Sequence, residues 1–179
     1  MLNLERDLLH QALELCCGSH RWIEAMEKAL PSRRGGTDEA ALLAESERAF
    51  ACLDERDWLE VFAHHPKIGD LDSLRSRFAQ TADLASNEQS GARATSRRTL
   101  EQLRAANLEY KRRFGYIFIV CATGKSALEM LQLLRGRLGN DAETELREAA
   151  AEQRKITRLR LEALFGPSQK SAASDGSLD

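Results

Sequence analysis

The chain has 179 residues, 42% apolar and 30% charged, with 26 Lys and Arg against 28 Asp and Glu for a net charge of −2. That balance suits a globular chain with room for a real core, and it excludes any global attraction to nucleic acid or to an anionic membrane. With only 3 prolines and frequent Ala, Leu, Glu and Arg, the composition favours helix over sheet.

The cysteines are Cys16, Cys17, Cys52 and Cys121, with no C-x-x-C pair among them. Neither a disulfide framework nor a zinc-finger spacing is present, so reduced, mostly buried thiols in a reducing cytoplasm are expected. Met1 to Leu9 is amphipathic and charged, and reads as neither a signal peptide nor a membrane span. The closing Gly-Ser-Leu-Asp is not a peroxisomal address.

In chain order, Leu4, Leu8, Ala12 and Leu15 recur at helical spacing, and Gly18 stops the run. Ser19 can cap a second helix through Trp22, Ile23, Met26 and Leu30, which Pro31 ends. After a loop from Ser32 to Gly36, Thr37 begins a helix with Asp38 and Glu39 in its first turn, running to about Leu53. Asp54 can cap the next, carrying Trp58, Leu59, Val61 and Phe62 up to His64. His65 precedes Pro66, and a residue before proline is pushed out of helical geometry, so the helix breaks there into Pro66-Lys67-Ile68-Gly69.

Two shorter helical stretches are expected around Leu71–Phe78 and Ala82–Ala92. Thr95 or Ser96 then opens a long amphipathic helix through Leu100, Leu103, Ala106, Tyr110 and Phe114, with Gly115 as its stop. Tyr116 to Ala122 is a continuous apolar run of strand-like composition, yet a lone strand has no ladder partner and its backbone groups need other bonds. Lys125 to Leu138 reads as helix, ended by Gly139, and Asp141 caps a last helix to about Phe165. The expectation is a single compact all-α domain of about seven or eight helices over 1–166, followed by a disordered tail over 167–179 that is rich in Ser, Ala, Gly and Asp.

Polar residues among apolar helical neighbours are the informative ones. Arg160 has Ile156, Thr157, Ala163 and Leu164 at i±3 and i±4, whereas Arg158 has Arg154, Lys155, Leu161 and Glu162 and reads as solvated. A guanidinium on an apolar face needs an anion or several acceptors; a buried ion pair with a helix carboxylate is the simpler account, and an anion-binding role the sharper one. Glu88 sits among Leu84, Ala85, Gly91 and Ala92 with no cation beside it, and Gln89 gives a weaker version of the same signal. Its bland account is a partner on another helix, Arg160 included. His64 and His65 form the one histidine pair, while His10 and His20 read as isolated and superficial. Histidine suits proton transfer near neutrality, but two adjacent histidines make a poor metal site. Residue chemistry alone therefore stops at His65, Glu88 and Arg160, and no metal centre is expected.

Four blocks at these positions resemble the OHCU decarboxylases, which act on 2-oxo-4-hydroxy-4-carboxy-5-ureidoimidazoline. They are His64 to Asp70 (HHPKIGD), Ala85 to Ala92 (ASNEQSGA), Tyr110 to Ala122 (YKRRFGYIFIVCA) and Lys155 to Leu161 (KITRLRL), in the family's order and spacing over roughly Leu4 to Phe165. The resemblance implies a helical carboxy-lyase that works as a homodimer without metal or organic cofactor and makes (S)-allantoin in purine breakdown. It implies His65 as acid/base, Glu88 as its partner at the reacting carboxylate and Arg160 as holder of an anionic or carbonyl oxygen. It also implies a substrate lining of Pro66, Ala85, Ser86, Asn87 and Gln89 together with Phe118, Ile119, Val120, Cys121 and Ala122. The backbone of that second stretch is expected to be open to a flat heterocycle.

Two rivals remain at this level. One is a helical binding or regulatory module using Arg93, Arg97, Arg98, Arg104 and Lys111 to Arg113 as a basic strip, although Glu101 and Glu109 interrupt it and favour a solvated face over a nucleic-acid surface. The other is an enzyme of the same fold acting on a related ureide.

Overall fold

The computed structural model describes residues 2–30, 39–65 and 91–165. Among them are seven helices and no strand: α1 Leu2–Cys16, α2 His20–Ala29, α3 Glu39–Phe50, α4 Glu55–Ala63, α5 Gly91–Phe114, α6 Ala127–Arg137 and α7 Ala142–Phe165. The all-α reading holds. The expected stretch Leu71–Phe78, residues 82–90 and the tail 167–179 lie outside the described residues.

Capping chemistry places most of the helix starts. Ser19 accepts the Trp22 N–H at 3.3 Å and starts α2. Asp54 Oδ1 accepts the amides of Arg56 and Asp57 at 2.9 and 3.2 Å and starts α4. Asp141 accepts both the amide and the hydroxyl of Thr144 at 2.8 Å and starts α7. At α6 the boundary differs from the sequence expectation: Ser126 is the cap, in a reciprocal box with Glu129, so the helix begins at Ala127 instead of Lys125. Helix α5 already runs at Gly91, which makes Thr95 and Ser96 interior positions; Ala92, Arg93 and Ala94 are good helix formers and carry the helix upstream of both. Helix α3 stops at Phe50, short of Leu53, because Ala51 and Cys52 form a turn that delivers the Asp54 cap.

The chain falls into two compact units, Met1–Val61 with Gln153–Asp179, and Phe62–Glu152. In the first, α2 packs against both α1 and α3. Its core holds Leu13, Trp22, Met26, Leu42, Phe50 and Leu161, with Trp22 stacked on Phe50 and Phe50 on Trp58 at ring separations of 5.7 and 5.4 Å. Burying one such leucine or aromatic is worth roughly 1.5–3 kcal/mol. His10 and His20 are exposed as expected but not isolated: His10 bonds Glu27 at 2.8 Å, and His20 pairs with Glu60, whose hydrogen bond raises its pKa.

In the second unit α5 packs on α6, and a buried cluster joins Leu100, Leu103 and Tyr110 of α5 to Leu131 and Leu134 of α6. Phe118 and Val120 complete it from the irregular stretch between the two helices. That stretch is bracketed by two glycines with positive φ, Gly115 at +84° and Gly124 at +72°. Gly115 donates its N–H to Lys111 O at 2.9 Å, so it ends α5 with a left-handed residue that only glycine adopts freely.

Candidate functional site

His65 follows the end of α4. Its N–H reaches Phe62 O at 3.3 Å, a tightened final turn, and with Pro66 next in sequence the chain cannot continue as helix. His64 is exposed and His65 half-buried.

Phe118, Ile119, Val120 and Cys121 are buried in the second unit, and Ala122 is half-buried. The stretch has the apolar composition of a strand but makes no ladder among the described residues, and side chains supply part of the missing bonding. Arg137 Nη1 donates to Ile119 O at 2.7 Å. Glu152 of α7 accepts the Cys121 N–H at 2.7 Å, and Lys125 Nζ donates to Cys121 O at 2.8 Å. The expectation of a backbone open to a heterocycle is thereby corrected for these three groups: they are spent on the protein, because the interior cannot leave them unpaired. Val120 lies between the two anchored peptides.

The anchor on Ile119 belongs to a larger buried cluster. Arg137 Nε donates to Glu145 Oε1 at 2.8 Å and Nη2 donates to the same oxygen, while the Tyr110 hydroxyl donates there as well. Asn140 Nδ2 donates to the other oxygen, Oε2, at 2.8 Å. The guanidinium also lies 4.8 Å from the centre of the Phe118 ring, a cation–π approach. Glu145 is fully buried, with both of its oxygens hydrogen-bonded. Burial works most strongly against the Arg137 charge, but the hydrogen bond to Glu145 and the electrostatic influence of Tyr110, Glu145 and Glu148 together outweigh it, and its pKa stands above the ordinary guanidinium value. Burial, and next the bond to Glu145, push the Tyr110 pKa well up, so the phenol serves as a donor.

Arg160, on α7 in the first unit, is half-buried. Its Nη1 donates to Leu15 O at 3.1 Å and Cys16 O at 3.3 Å, the carbonyls at the negative end of the α1 dipole. The carboxylate partner that sequence reasoning favoured is absent among the described residues, and Nε and Nη2 have no partner there. Two buried thiols lie nearby. Burial raises Cys16 to about 11 and Cys17 to about 12, with Arg160 pulling the other way. Arg158 is solvated and pairs with Glu162 at 2.8 Å, as its neighbours imply.

Of the sequence-predicted site, then, Phe118 to Ala122 are placed together, and His65 and Arg160 are each placed on their own element. Pro66, Ala85, Ser86, Asn87, Glu88 and Gln89 lie outside the described residues. Sequence reasoning passed over Tyr110, Arg137 and Glu145 as polar partners. Arg137 does have Leu133 and Leu134 as helical neighbours, but Glu145 has Asp141 and Glu148 among its own and reads as solvated. Arg97 of the proposed basic strip is neutralised by Glu101 at 3.1 Å, and Arg113 spends a donor on Asn140 O at 2.9 Å. Among the described residues no group of three or more His, Cys, Asp or Glu could hold a metal ion, and no helix is long and apolar enough to cross a membrane.

The profile of a family described as OHCU decarboxylase matches residues 3–162. The uric acid degradation bifunctional protein TTL of Arabidopsis thaliana is 36% identical over 159 residues, which cover 88% of this chain and 47% of that protein. The 2-oxo-4-hydroxy-4-carboxy-5-ureidoimidazoline decarboxylase of Xenopus laevis is 36% identical over 103 residues, 56% of this chain and 57% of that protein. The chain thus spans about half the length of these relatives. A solved structure of an OHCU decarboxylase in the presence of (S)-allantoin is similar with a TM-score of 0.65 at 34% identity, covering 85% of this chain and 95% of that one.

Proposed function

The chain belongs to the OHCU decarboxylase family, and on that premise we propose that it decarboxylates OHCU to (S)-allantoin in uric acid degradation. The observation that carries this reading is the likeness to the solved decarboxylase at 34% identity over 95% of that chain's length. In the substrate the carboxylate sits on a carbon that also bears a hydroxyl and adjoins a C=N bond. As the bond to the carboxylate breaks and CO2 departs, its electron pair enters that C=N system. The hydroxyl then gives up its proton and becomes the ring carbonyl, the former imine carbon gains a proton, and the ring nitrogen takes up the one proton consumed overall.

In this reading His65 takes the hydroxyl proton and returns a proton to carbon on one face of the ring. Glu88 orients His65 or crowds the substrate carboxylate with like charge. Arg160 holds an oxygen of the ring, and its Nε and Nη2 donors, without a partner among the described residues, support that role. Pro66, residues 85–89 and Phe118 to Ala122 orient the ring and exclude water. The apolar burial of Phe118 to Cys121 supports the last part of that assignment. We read the working state as a cytoplasmic homodimer. Buried, unoxidised Cys16, Cys17 and Cys121 support a reducing compartment, and the exposed Leu108, Leu128 and Leu133 offer apolar surface to a second copy.

The test is decarboxylation of freshly generated OHCU, with circular dichroism of the allantoin formed. Wild type is expected to make one-handed (S) product faster than the spontaneous reaction, and His65→Ala to fall to the spontaneous rate while keeping its helical spectrum. Racemic product at the spontaneous rate from wild type would refute the activity, retained turnover in His65→Ala would refute the histidine's role, and sedimentation as a monomer would refute the dimer.

A further inference from the structure

We propose that Arg137 is a positioning residue for this reaction: it sets the place of the Ile119 peptide, and with it the buried lining from Phe118 to Cys121, without touching substrate itself. The inference rests on the reading of that stretch as substrate lining. Its basis is how the guanidinium spends its donors. One edge, Nε and Nη2, is committed to Glu145 Oε1, and Nη1, at 2.7 Å, to Ile119 O. Glu145 is itself fixed from three further directions or partners, by the Tyr110 hydroxyl of α5, by Asn140 at 2.8 Å and by its own place on α7. Arg137 therefore refers the Ile119 carbonyl to α5, α6 and α7 at once.

The stretch needs such a device. Among the described residues it has no ladder to fix its register, its ends are Gly115 and Gly124, both at positive φ, and a Cβ at either would meet nothing within 4 Å. Between those glycines no ladder among the described residues holds the backbone, and side-chain anchors do. The Phe118 ring under the guanidinium, 4.8 Å from centroid to Cζ, ties side chain and peptide to the same group. Glu152 and Lys125 hold the Cys121 peptide in the same manner. A buried ion pair is seldom the most stable way to fill a core, and an apolar pair of equal volume often does as well. What an apolar pair cannot do is hold a carbonyl in one place. A lysine at this position keeps the charge but concentrates its donors at one point, so it cannot serve Glu145 and Ile119 with the geometry of the planar fork.

The experiment is steady-state kinetics on OHCU for wild type, Arg137→Lys and Tyr110→Phe, each checked for folding by circular dichroism. Losing folded protein lowers the maximal rate per mole of chain and leaves KM alone, whereas displacing a lining the substrate rests on raises KM. Arg137→Lys is expected to raise KM about tenfold, the loss expected for a charge-assisted hydrogen bond that positions a binding surface. Tyr110→Phe removes one of the bonds that fix Glu145 but none to Ile119, so KM should rise only about twofold. Should Arg137→Lys not fold, Glu145→Gln replaces it, with a KM rise of about threefold expected from the loosened guanidinium. An unchanged KM in the folded arginine variant, or an equal rise in Tyr110→Phe, would overturn the inference while leaving the activity intact. No turnover by wild type would overturn the activity, and the inference with it.

Discussion

Arg137 in the second unit and Arg160 in the first carry the same group, one buried and one half-buried, and they are held differently. Arg137 meets a fully buried carboxylate, a peptide carbonyl and an aromatic face. Among the described residues Arg160 meets two carbonyls at a helix end, through a single nitrogen. A guanidinium whose donors are all committed within the protein is part of the scaffold; one that keeps an edge uncommitted retains something to offer a ligand. Sequence neighbours do not separate the two cases, since both arginines have leucine or isoleucine one turn away. Their partners do.

The sharpest break of this contrast is Arg137→Met. It strands Glu145 without its counter-charge and should cost about 3–5 kcal/mol in urea unfolding, much of it recovered when Glu145→Leu is added. A cost under about 1 kcal/mol would mean the pair holds nothing together. Next is Arg160→Gln, for which the expected pattern is inverted. Turnover of OHCU should fall by about 10²- to 10³-fold, as on removing a donor to a reacting oxygen. Stability should change by only about 1 kcal/mol, the worth of its carbonyl bonds. A melting shift as large as that of Arg137→Met would place Arg160 in the scaffold instead.

The smallest effect concerns the thiols beside Arg160. Cys16 and Cys17 are raised from 9.0 to about 11 and about 12, so the folded chain keeps protons that the unfolded chain releases. Their neutral burial is therefore favourable below the unfolded value of 9.0, and stability falls as pH rises from there toward the folded values. The slope is roughly 1.4 kcal/mol per pH unit for each thiol. Unfolding free energies measured up the alkaline range should decline less steeply in Cys17→Ala, and identical slopes would disprove the assignment.

What could be read from the residues was mostly local. Ser19, Asp54 and Asp141 were legible as caps because a cap bonds amides two or three residues on. Thr95 and Ser96 misled because the same side chains are tolerated within a helix when the residues before them favour it. The apolar run to Ala122 was legible as buried and as lacking a ladder. Its actual partners were not, since Ile119 and Arg137 lie 18 residues apart and Cys121 and Glu152 lie 31 apart. Burial of Glu145 depends on Tyr110, 35 residues upstream, and no pattern of neighbours along α7 announces it. For the site, chemistry alone reached His65, Glu88 and Arg160 as candidates, and family resemblance gave them roles; the supporting arrangement behind Phe118 to Ala122 became visible only with tertiary contacts.

The distribution of sulfur has a practical consequence. Cys52 is exposed, while Cys16 and Cys17 are buried in one unit and Cys121 in the other. A thiol-specific reagent therefore meets one accessible residue on the native protein and three that become accessible only through opening events. Cys52 is a ready attachment point for a fluorophore, and its immediate labelling supplies an internal reference. The rates at Cys16, Cys17 and Cys121 then time the opening of each unit separately, so the unaltered chain carries its own probes of whether the two open together.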